Sequence, residues 1–144
     1  MNIKLVFFCL LTPAFYAMAA SECTPNLIKK DVCEIAANIA AEAKTTLPIR
    51  ISEGIEMYSI EANKNALISY IRMKSTESEM QDMYTRGRVT PGLVKSKLRE
   101  ETKIKACEAG NPIRSFINLG GEVHYNYTYP SGKAYDSFSV VYCK

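Results

Sequence analysis

The clearest strand pattern in the sequence lies in residues 122–142, which read EVHYNYTYPSGKAYDSFSVVY. In its first half, Val123, Tyr125 and Tyr127 alternate with polar residues, which is the period-two pattern of a strand with one buried face. Proline and glycine follow at positions 130 and 132, as a tight turn requires. The pattern predicts a hairpin whose return strand runs over Tyr135–Tyr142. The side chains expected on one face of that return strand are Phe138, Val140 and Tyr142.

A second strand pair is predicted upstream of this hairpin. Residues Ile55–Ala62 and Ala66–Met73 flank Asn63-Lys64-Asn65, where asparagine suits the left-handed turn conformation. The side chains that can share one face of the second strand are Leu67, Ile71 and Met73.

Two Thr-Pro pairs mark helix starts, because a threonine hydroxyl caps a helix and proline fits its first position. Thr24-Pro25 predicts a helix that ends between residues 45 and 48, with Ile28 on its apolar face. Thr90-Pro91 predicts a basic helix that ends near Cys107, and its charged side chains are expected to form a solvated face. The apolar side chains expected to contribute from this helix are Leu93, Val94, Leu98 and Ile104.

The main elements follow in the order α-β-β-α-β-β. The polar residues 75–87 are either a loop or a short helix, and a further short helix is predicted after Gly110-Asn111-Pro112. This order predicts an α+β fold with an antiparallel sheet of four to five strands packed with two main helices. It also suggests two similar halves stacked into one sheet.

The N-terminal residues 1–20 have the pattern of a secretory signal peptide. Lys4 supplies a basic start, an apolar run follows, and Ala17-Met18-Ala19 ends in small residues. We therefore expect cleavage after Ala19 or Ala20, export to the periplasm, and a single mature α+β domain over residues 21–144. No small-small-Cys triplet precedes Cys23, so we expect an exported protein without a lipid anchor and with no transmembrane segment in the mature chain.

Cysteine counting predicts a disulfide-stabilised domain. Removal of the signal peptide leaves Cys23, Cys33, Cys107 and Cys143, and an even count in an exported chain indicates two disulfides. Three connectivities are possible, of which we favour Cys23–Cys33 with Cys107–Cys143. If residues 25–33 were all helical, the first pair would lie roughly 12–15 Å apart, whereas a disulfide needs Cα atoms within about 7 Å. Either the helix begins later or this pairing is wrong.

Several function classes are disfavoured by the sequence. The net charge of +3 is too small to indicate nucleic acid as a partner. No Cys-x-x-Cys pair is present and the single histidine, His124, lies in a predicted strand, so we expect no metal site. The common hydrolase and phosphate-binding motifs are absent as well. We therefore expect no enzyme, no catalytic residues and no cofactor.

The tyrosines of the alternating strand are the candidate partner-binding residues. Tyr125, Tyr127 and Tyr129 can be half-buried sheet core, or they can contribute to a protein interface, where tyrosine is enriched. An edge strand of the same sheet could also pair with a partner strand.

The C-terminal part of the chain resembles the AspS-type pilotins of bacterial type II secretion over residues 47–143. The residues that carry the resemblance are Leu47-Pro48-Ile49, Gly54-Ile55, Cys107, Arg114, Leu119-Gly120, Tyr125, Ser131-Gly132 and Cys143. The resemblance implies a small periplasmic α/β domain with one C-terminal disulfide, here Cys107–Cys143. It also implies that a groove binds a C-terminal helical segment of the secretin subunit. Pilotins of the family are lipoproteins, whereas this chain lacks the lipobox and adds Cys23 and Cys33.

Two functional classes stay open on the sequence. The first is a non-enzymatic periplasmic accessory protein that binds an envelope or secretion component such as a secretin-type subunit. The second is an immunity or inhibitor protein that neutralises a bacteriocin or hydrolase acting in the periplasm. Our prediction is the first, with another protein as the partner.

Overall fold

The computed structural model describes residues 22–24 and 30–144. The predicted signal peptide and its cleavage site, and Pro25 and Ile28 of the first predicted helix, lie outside the described residues. The elements, in chain order, are α1 (Val32–Lys44), β1 (Ile49–Ser52), β2 (Ile55–Asn63), β3 (Ala66–Met73), α2 (Glu77–Gly87), α3 (Pro91–Ala106), α4 (Pro112–Asn118), β4 (Glu122–Thr128) and β5 (Ala134–Val140).

The five strands form one sheet in the order β1-β2-β3-β4-β5. Three of the four neighbouring pairs are antiparallel, and β3 pairs with β4 in parallel. The predicted α+β fold is therefore confirmed, and its sheet is antiparallel as predicted except for the one parallel pair, β3 with β4. That pair joins the two predicted halves, and the three helices α2, α3 and α4 form the crossover that a parallel connection needs.

Helix α1 begins later than the Thr24-Pro25 signal predicts. Asp31 is its N-cap, and the Asp31 carboxylate accepts hydrogen bonds from the backbone N–H groups of Cys33 and Glu34. This later start removes the distance conflict in the predicted first disulfide. Cys23 and Cys33 are bonded with a Cα–Cα distance of 5.0 Å, and the backbone N–H of Val32 donates to the Cys23 carbonyl at 2.7 Å.

The other three helices begin at capping residues that the sequence displays. Thr76, Thr90 and Asn111 each accept a hydrogen bond from a backbone N–H of the first turn. Residues 77–87 are thus the short helix rather than the loop of the two predicted alternatives. Helix α3 ends at Ala106, and Cys107 is bonded to Cys143 with a Cα–Cα distance of 5.3 Å.

Helix α3 is much less buried than its sequence led us to expect. Ala106 is its only buried residue, Val94 and Leu98 are half-buried, and the predicted core contributors Leu93 and Ile104 are 50% and 63% exposed. The reason is position, because α3 lies against β5 at one edge of the sheet. Only a narrow side of the helix meets the core there.

The core joins the helices to the buried face of the sheet. As predicted, the buried residues of β3 and β4 alternate along each strand, and the parallel register sets Leu67 beside Val123 and Ile71 beside Tyr127. Helix α1 packs on β2 and β3, and α4 packs on α1 and β4.

Two predictions, one about the end of the last strand and one about the first turn, were wrong. Strand β5 ends at Val140, which leaves Tyr142 54% exposed, and the left-handed residue of the first turn is Lys64 rather than an asparagine.

Within the described residues, no helix combines the length and apolar character that a membrane span needs.

Candidate functional site

An apolar opening in the helix-covered face lies between α3 and the β1–β2 end of the sheet. Helix α1 covers β2 and β3, and α3 lies against β5, so the space between the two helices is left open. The resulting groove has a volume of about 240 Å³. Because drug-sized ligands occupy pockets of about 300–1,000 Å³, this volume suits a few side chains of a peptide better than a whole small molecule.

The walls of the groove are apolar and incompletely covered. Its large aliphatic and thioether side chains are all half-buried, so no described part of the chain seals them from water; they are Ile51, Ile55, Met57, Leu98 and Ile113. The charged lining residues are Glu101 and Lys105, both exposed on α3 and of opposite sign. The groove therefore offers apolar contact area without a net charge of its own.

Two of the predicted tyrosines form the floor of the groove. Tyr125 and Tyr127 are 8% and 2% exposed, and both stack on Phe138 of β5, with ring centroids 5.4 and 6.0 Å away. The alternation in the sequence placed them on the buried face of β4, and the structure adds that this face opens into the groove.

The Tyr127 hydroxyl is part of an internal hydrogen-bond chain. Thr102 donates to the Leu98 carbonyl at 2.7 Å, so its oxygen is left to accept a hydrogen bond from the Tyr127 hydroxyl, 3.1 Å away. Burial raises the pKa of Tyr127, which keeps the phenol protonated and able to donate. This chain ties the floor of the groove to its α3 wall.

The Tyr125 hydroxyl has a different environment. It has no hydrogen-bond partner among the described residues, and it is not among their fully enclosed polar atoms, so it faces the groove. Burial, together with the nearby Tyr127, raises the pKa of Tyr125 to about 12. At neutral pH the groove floor thus presents one neutral, unused hydroxyl.

Cationic side chains add to the limited apolar packing that holds helix α3 against β5. Arg99 donates to both carboxylate oxygens of Asp136, at 2.8 and 2.6 Å, and the Asp136 side chain is only 5% exposed. Lys95 lies over the Tyr135 ring and Lys103 over the Tyr142 ring. The hydrogen bonds from Arg99 hold the pKa of Asp136 below its ordinary value. The basic residues that we expected on a solvated face therefore include three that attach the groove wall to the sheet.

Tyr129, the third predicted tyrosine, lies outside the groove. Its ring packs edge-on against Tyr135 with centroids 5.4 Å apart, beside the first residues of α2. A bulge between Tyr127 and Thr128 interrupts the alternation at this point. The structure therefore brings together two of the three tyrosines.

The groove also contains residues that sequence reasoning missed as a set. Ile51, Met57 and Leu98 come from three separate elements, and nothing in the local pattern links them. Leu98 was expected in the core. Its place beside the groove depends on the positions of α1 and α3 on the sheet, which the local sequence does not determine.

Two other clusters in the described residues contain side chains of the types found in metal or catalytic sites. Cys23, Cys33 and Asp31 lie close together, but the two sulfurs are joined to each other and cannot act as thiolate ligands. On the open face of the sheet, His124 contacts Glu122 at 3.2 Å and Ser139 at 3.0 Å. None of these three side chains lines the groove, and together they cross-link β4 to β5.

The fold and the groove define a class: a disulfide-bonded α+β domain with helices on one face of a mixed sheet and an apolar groove beside them. No protein-family model matches the sequence, and no curated protein sequence matches it.

Three solved structures share this fold. The pilotin EpsS of the Vibrio vulnificus type 2 secretion system has a TM-score of 0.59 at 16% identity, over 76% of this chain and 86% of that chain. The type II secretion pilotin AspS from Vibrio cholerae has a TM-score of 0.58 at 15% identity, over 76% and 87%. A Pseudomonas aeruginosa protein described as a candidate secreted protein has a TM-score of 0.58 at 15% identity, over 76% and 88%. The predicted resemblance to AspS-type pilotins is confirmed at the level of the fold.

Proposed function

We propose that the chain is a non-enzymatic, pilotin-like accessory factor of the periplasm that binds a segment of an envelope or secretion component, such as a secretin-type subunit. The observation that carries the proposal is the groove, whose large apolar side chains remain half-buried. The likeness of the fold to two type II secretion pilotins supports the same class of partner.

The proposed ligand is an amphipathic helical segment. Such a segment binds a groove by inserting apolar side chains spaced three or four residues apart. The groove lies between helix α3 and the sheet, with Ile51 on one wall, Leu98 on the other and Tyr125 and Tyr127 on the floor. We propose these two tyrosines as partner-contacting residues. Tyr129 is outside the groove and is not part of this proposal.

The proposed location follows from residues 1–20, which have the pattern of a signal peptide, and from the two disulfides, which persist in oxidising compartments. The mature chain is proposed to be a single domain over residues 21–144. An immunity or inhibitor role would need a folded toxin or hydrolase as the partner, and we keep it as an alternative outcome of the experiment below.

The experiment compares groove variants as baits in an envelope extract of the source organism. Leu98→Glu puts a charge on the groove wall and is expected to reduce capture of the partner at least about tenfold, because the carboxylate must be desolvated there. Leu93→Glu is the matched control, since Leu93 lies on the same helix and is 50% exposed. Ile51→Glu on the opposite wall is a second test that does not depend on α3.

Each bait is first checked for a native circular dichroism spectrum and melting transition, and retained proteins are identified by mass spectrometry. The proposal expects one envelope or secretion component that both groove variants lose and that Leu93→Glu retains. Retention by all variants would refute the groove as the binding site. Recovery of a toxin or hydrolase would replace the accessory function by immunity.

A further inference from the structure

The two tyrosines on the groove floor differ in the surroundings of their hydroxyl groups. Tyr125 and Tyr127 lie two residues apart on β4, both are more than nine-tenths buried, and both stack on Phe138. The Tyr127 hydroxyl is 3.1 Å from Thr102, whereas the Tyr125 hydroxyl has no partner among the described residues.

Ser52 at the rim of the groove is exposed to water, whereas the other uncharged polar side chains of the lining already make hydrogen bonds within the protein. Thr102 donates to the Leu98 carbonyl, and Asn111 donates to the Lys105 carbonyl while accepting from the backbone of Ile113. Among the buried residues that line the described part of the groove, Tyr125 is therefore the one whose hydroxyl is left to a ligand or to water.

A ligand that fills the groove removes water from the Tyr125 hydroxyl. When a segment covers the floor, it displaces the water that Tyr125 can reach, and an O–H group left without an acceptor carries its full desolvation penalty. A purely apolar segment would leave that penalty uncompensated. A segment with a correctly placed acceptor would turn it into a favourable contact.

We infer that Tyr125 is a specificity-determining residue, which selects a bound segment carrying a neutral carbonyl oxygen among its apolar groups. This inference rests on the proposed function, because it assumes that the groove is the binding site. The acceptor is neutral because a carboxylate would have to be desolvated on an apolar floor.

Two sources can supply such a carbonyl oxygen. One is the last turn of a helix, whose carbonyls have no intrahelical partner. The other is the side-chain amide of asparagine or glutamine. Both have the same chemistry at the Tyr125 hydroxyl, and two small probes separate them. N-acetyl-leucine N-methylamide carries backbone carbonyls beside a branched side chain, and 4-methylpentanamide carries a primary amide on a branched chain.

The test titrates each probe into isotopically labelled protein and follows backbone amide signals of groove residues by NMR. Tyr125→Phe removes only the hydroxyl and is expected to weaken binding of the preferred probe about fivefold, the value of one neutral hydrogen bond. Tyr129→Phe is the matched control, because Tyr129 lies outside the groove, and it is expected to change the affinity by less than about twofold. The carboxylate analogue 4-methylpentanoate is expected to bind more weakly than the amide.

The outcomes separate this inference from the proposed function. Equal or tighter binding by Tyr125→Phe would overturn the inference, and so would the failure of both probes to shift groove signals. If Leu98→Glu loses the protein partner while the probes show no dependence on Tyr125, only the inference fails. If the probes depend on Tyr125 but the groove variants still capture the partner, the proposed function fails, and with it the role of Tyr125 in selecting that partner.

Discussion

Replacement of Arg99 by methionine should destabilise the protein more than replacement of its partner Asp136 by alanine. The pair attaches α3 to β5 through two hydrogen bonds of 2.8 and 2.6 Å. Its members differ in exposure, because the Arg99 side chain is 50% exposed and the Asp136 side chain 5%. Arg99→Met therefore strands a buried carboxylate, whereas Asp136→Ala leaves a guanidinium that water can solvate.

The expected magnitudes follow from that asymmetry. Breaking a fully buried pair costs about 3–5 kcal/mol. Because Arg99 is half exposed and Lys95 also contributes a favourable charge near Asp136, we expect about 2 kcal/mol for Arg99→Met. Asp136→Ala should cost about 1 kcal/mol, the upper value for an ion pair whose remaining partner stays solvated. In a domain of this size, 2 kcal/mol corresponds to a melting temperature lower by roughly 8 °C.

The cost of Arg99→Met should also depend on pH. The pKa of Asp136 is lowered in the folded protein, so the pair's stabilisation is present above the ordinary aspartate pKa of about 3.9 and is lost as pH falls through the folded value. In Arg99→Met the stranded carboxylate can be protonated as the pH falls, which relieves its burial. The two proteins should therefore converge below about pH 4.

Urea unfolding at pH 7, 5 and 3, followed by circular dichroism, measures these differences. We expect the free-energy difference between wild type and Arg99→Met to fall by more than half between pH 7 and pH 3. A difference that is independent of pH, or an Asp136→Ala variant that is the less stable of the two, would refute the reasoning.

Two further predictions concern covalent and steric contacts. Removal of the Cys107–Cys143 bridge by a double alanine substitution should lower the free energy of unfolding by about 4 kcal/mol on the chain-entropy model, since the bridge spans 36 residues; equal stability of the oxidised wild type and the double variant in urea would contradict this. A Cβ on Gly121 would overlap the buried Phe116 ring, so Gly121→Ala should cost about 2–3 kcal/mol. Gly92→Ala, which meets open space near the start of α3, should be neutral or slightly stabilising in the same thermal melts.

The features predicted correctly from the sequence are local. The alternation in residues 122–128 predicts a strand with Val123, Tyr125 and Tyr127 on its buried face, because side chains on a strand alternate whatever the partner strand is. Thr90 is the helix cap that the Thr-Pro signal indicates, because capping depends on residues within one turn. The first Thr-Pro signal predicted the wrong start for α1. Asp31, seven residues after Thr24, is the N-cap of that helix.

The features that sequence reasoning missed depend on contacts between distant elements. The short strand β1 follows Pro48 and has four residues, too few for a periodic pattern. The exposure of Leu93 and Ile104 depends on the position of α3 at the sheet edge, where cations supply much of the attachment. The groove itself is a space between α3 and the sheet, so no residue pattern encodes it locally.

The groove as the binding surface is tested most directly by site-specific photo-cross-linking in cells of the source organism. A photoreactive phenylalanine analogue is placed at Met57, which lines the groove, or at Tyr58, which lies beside Arg72 and Tyr70 away from the groove. We expect a light-dependent adduct from position 57, but not from position 58, with a helical segment of one envelope or secretion component. Adducts of equal yield from both positions, or a folded toxin or hydrolase captured at position 57, would contradict it.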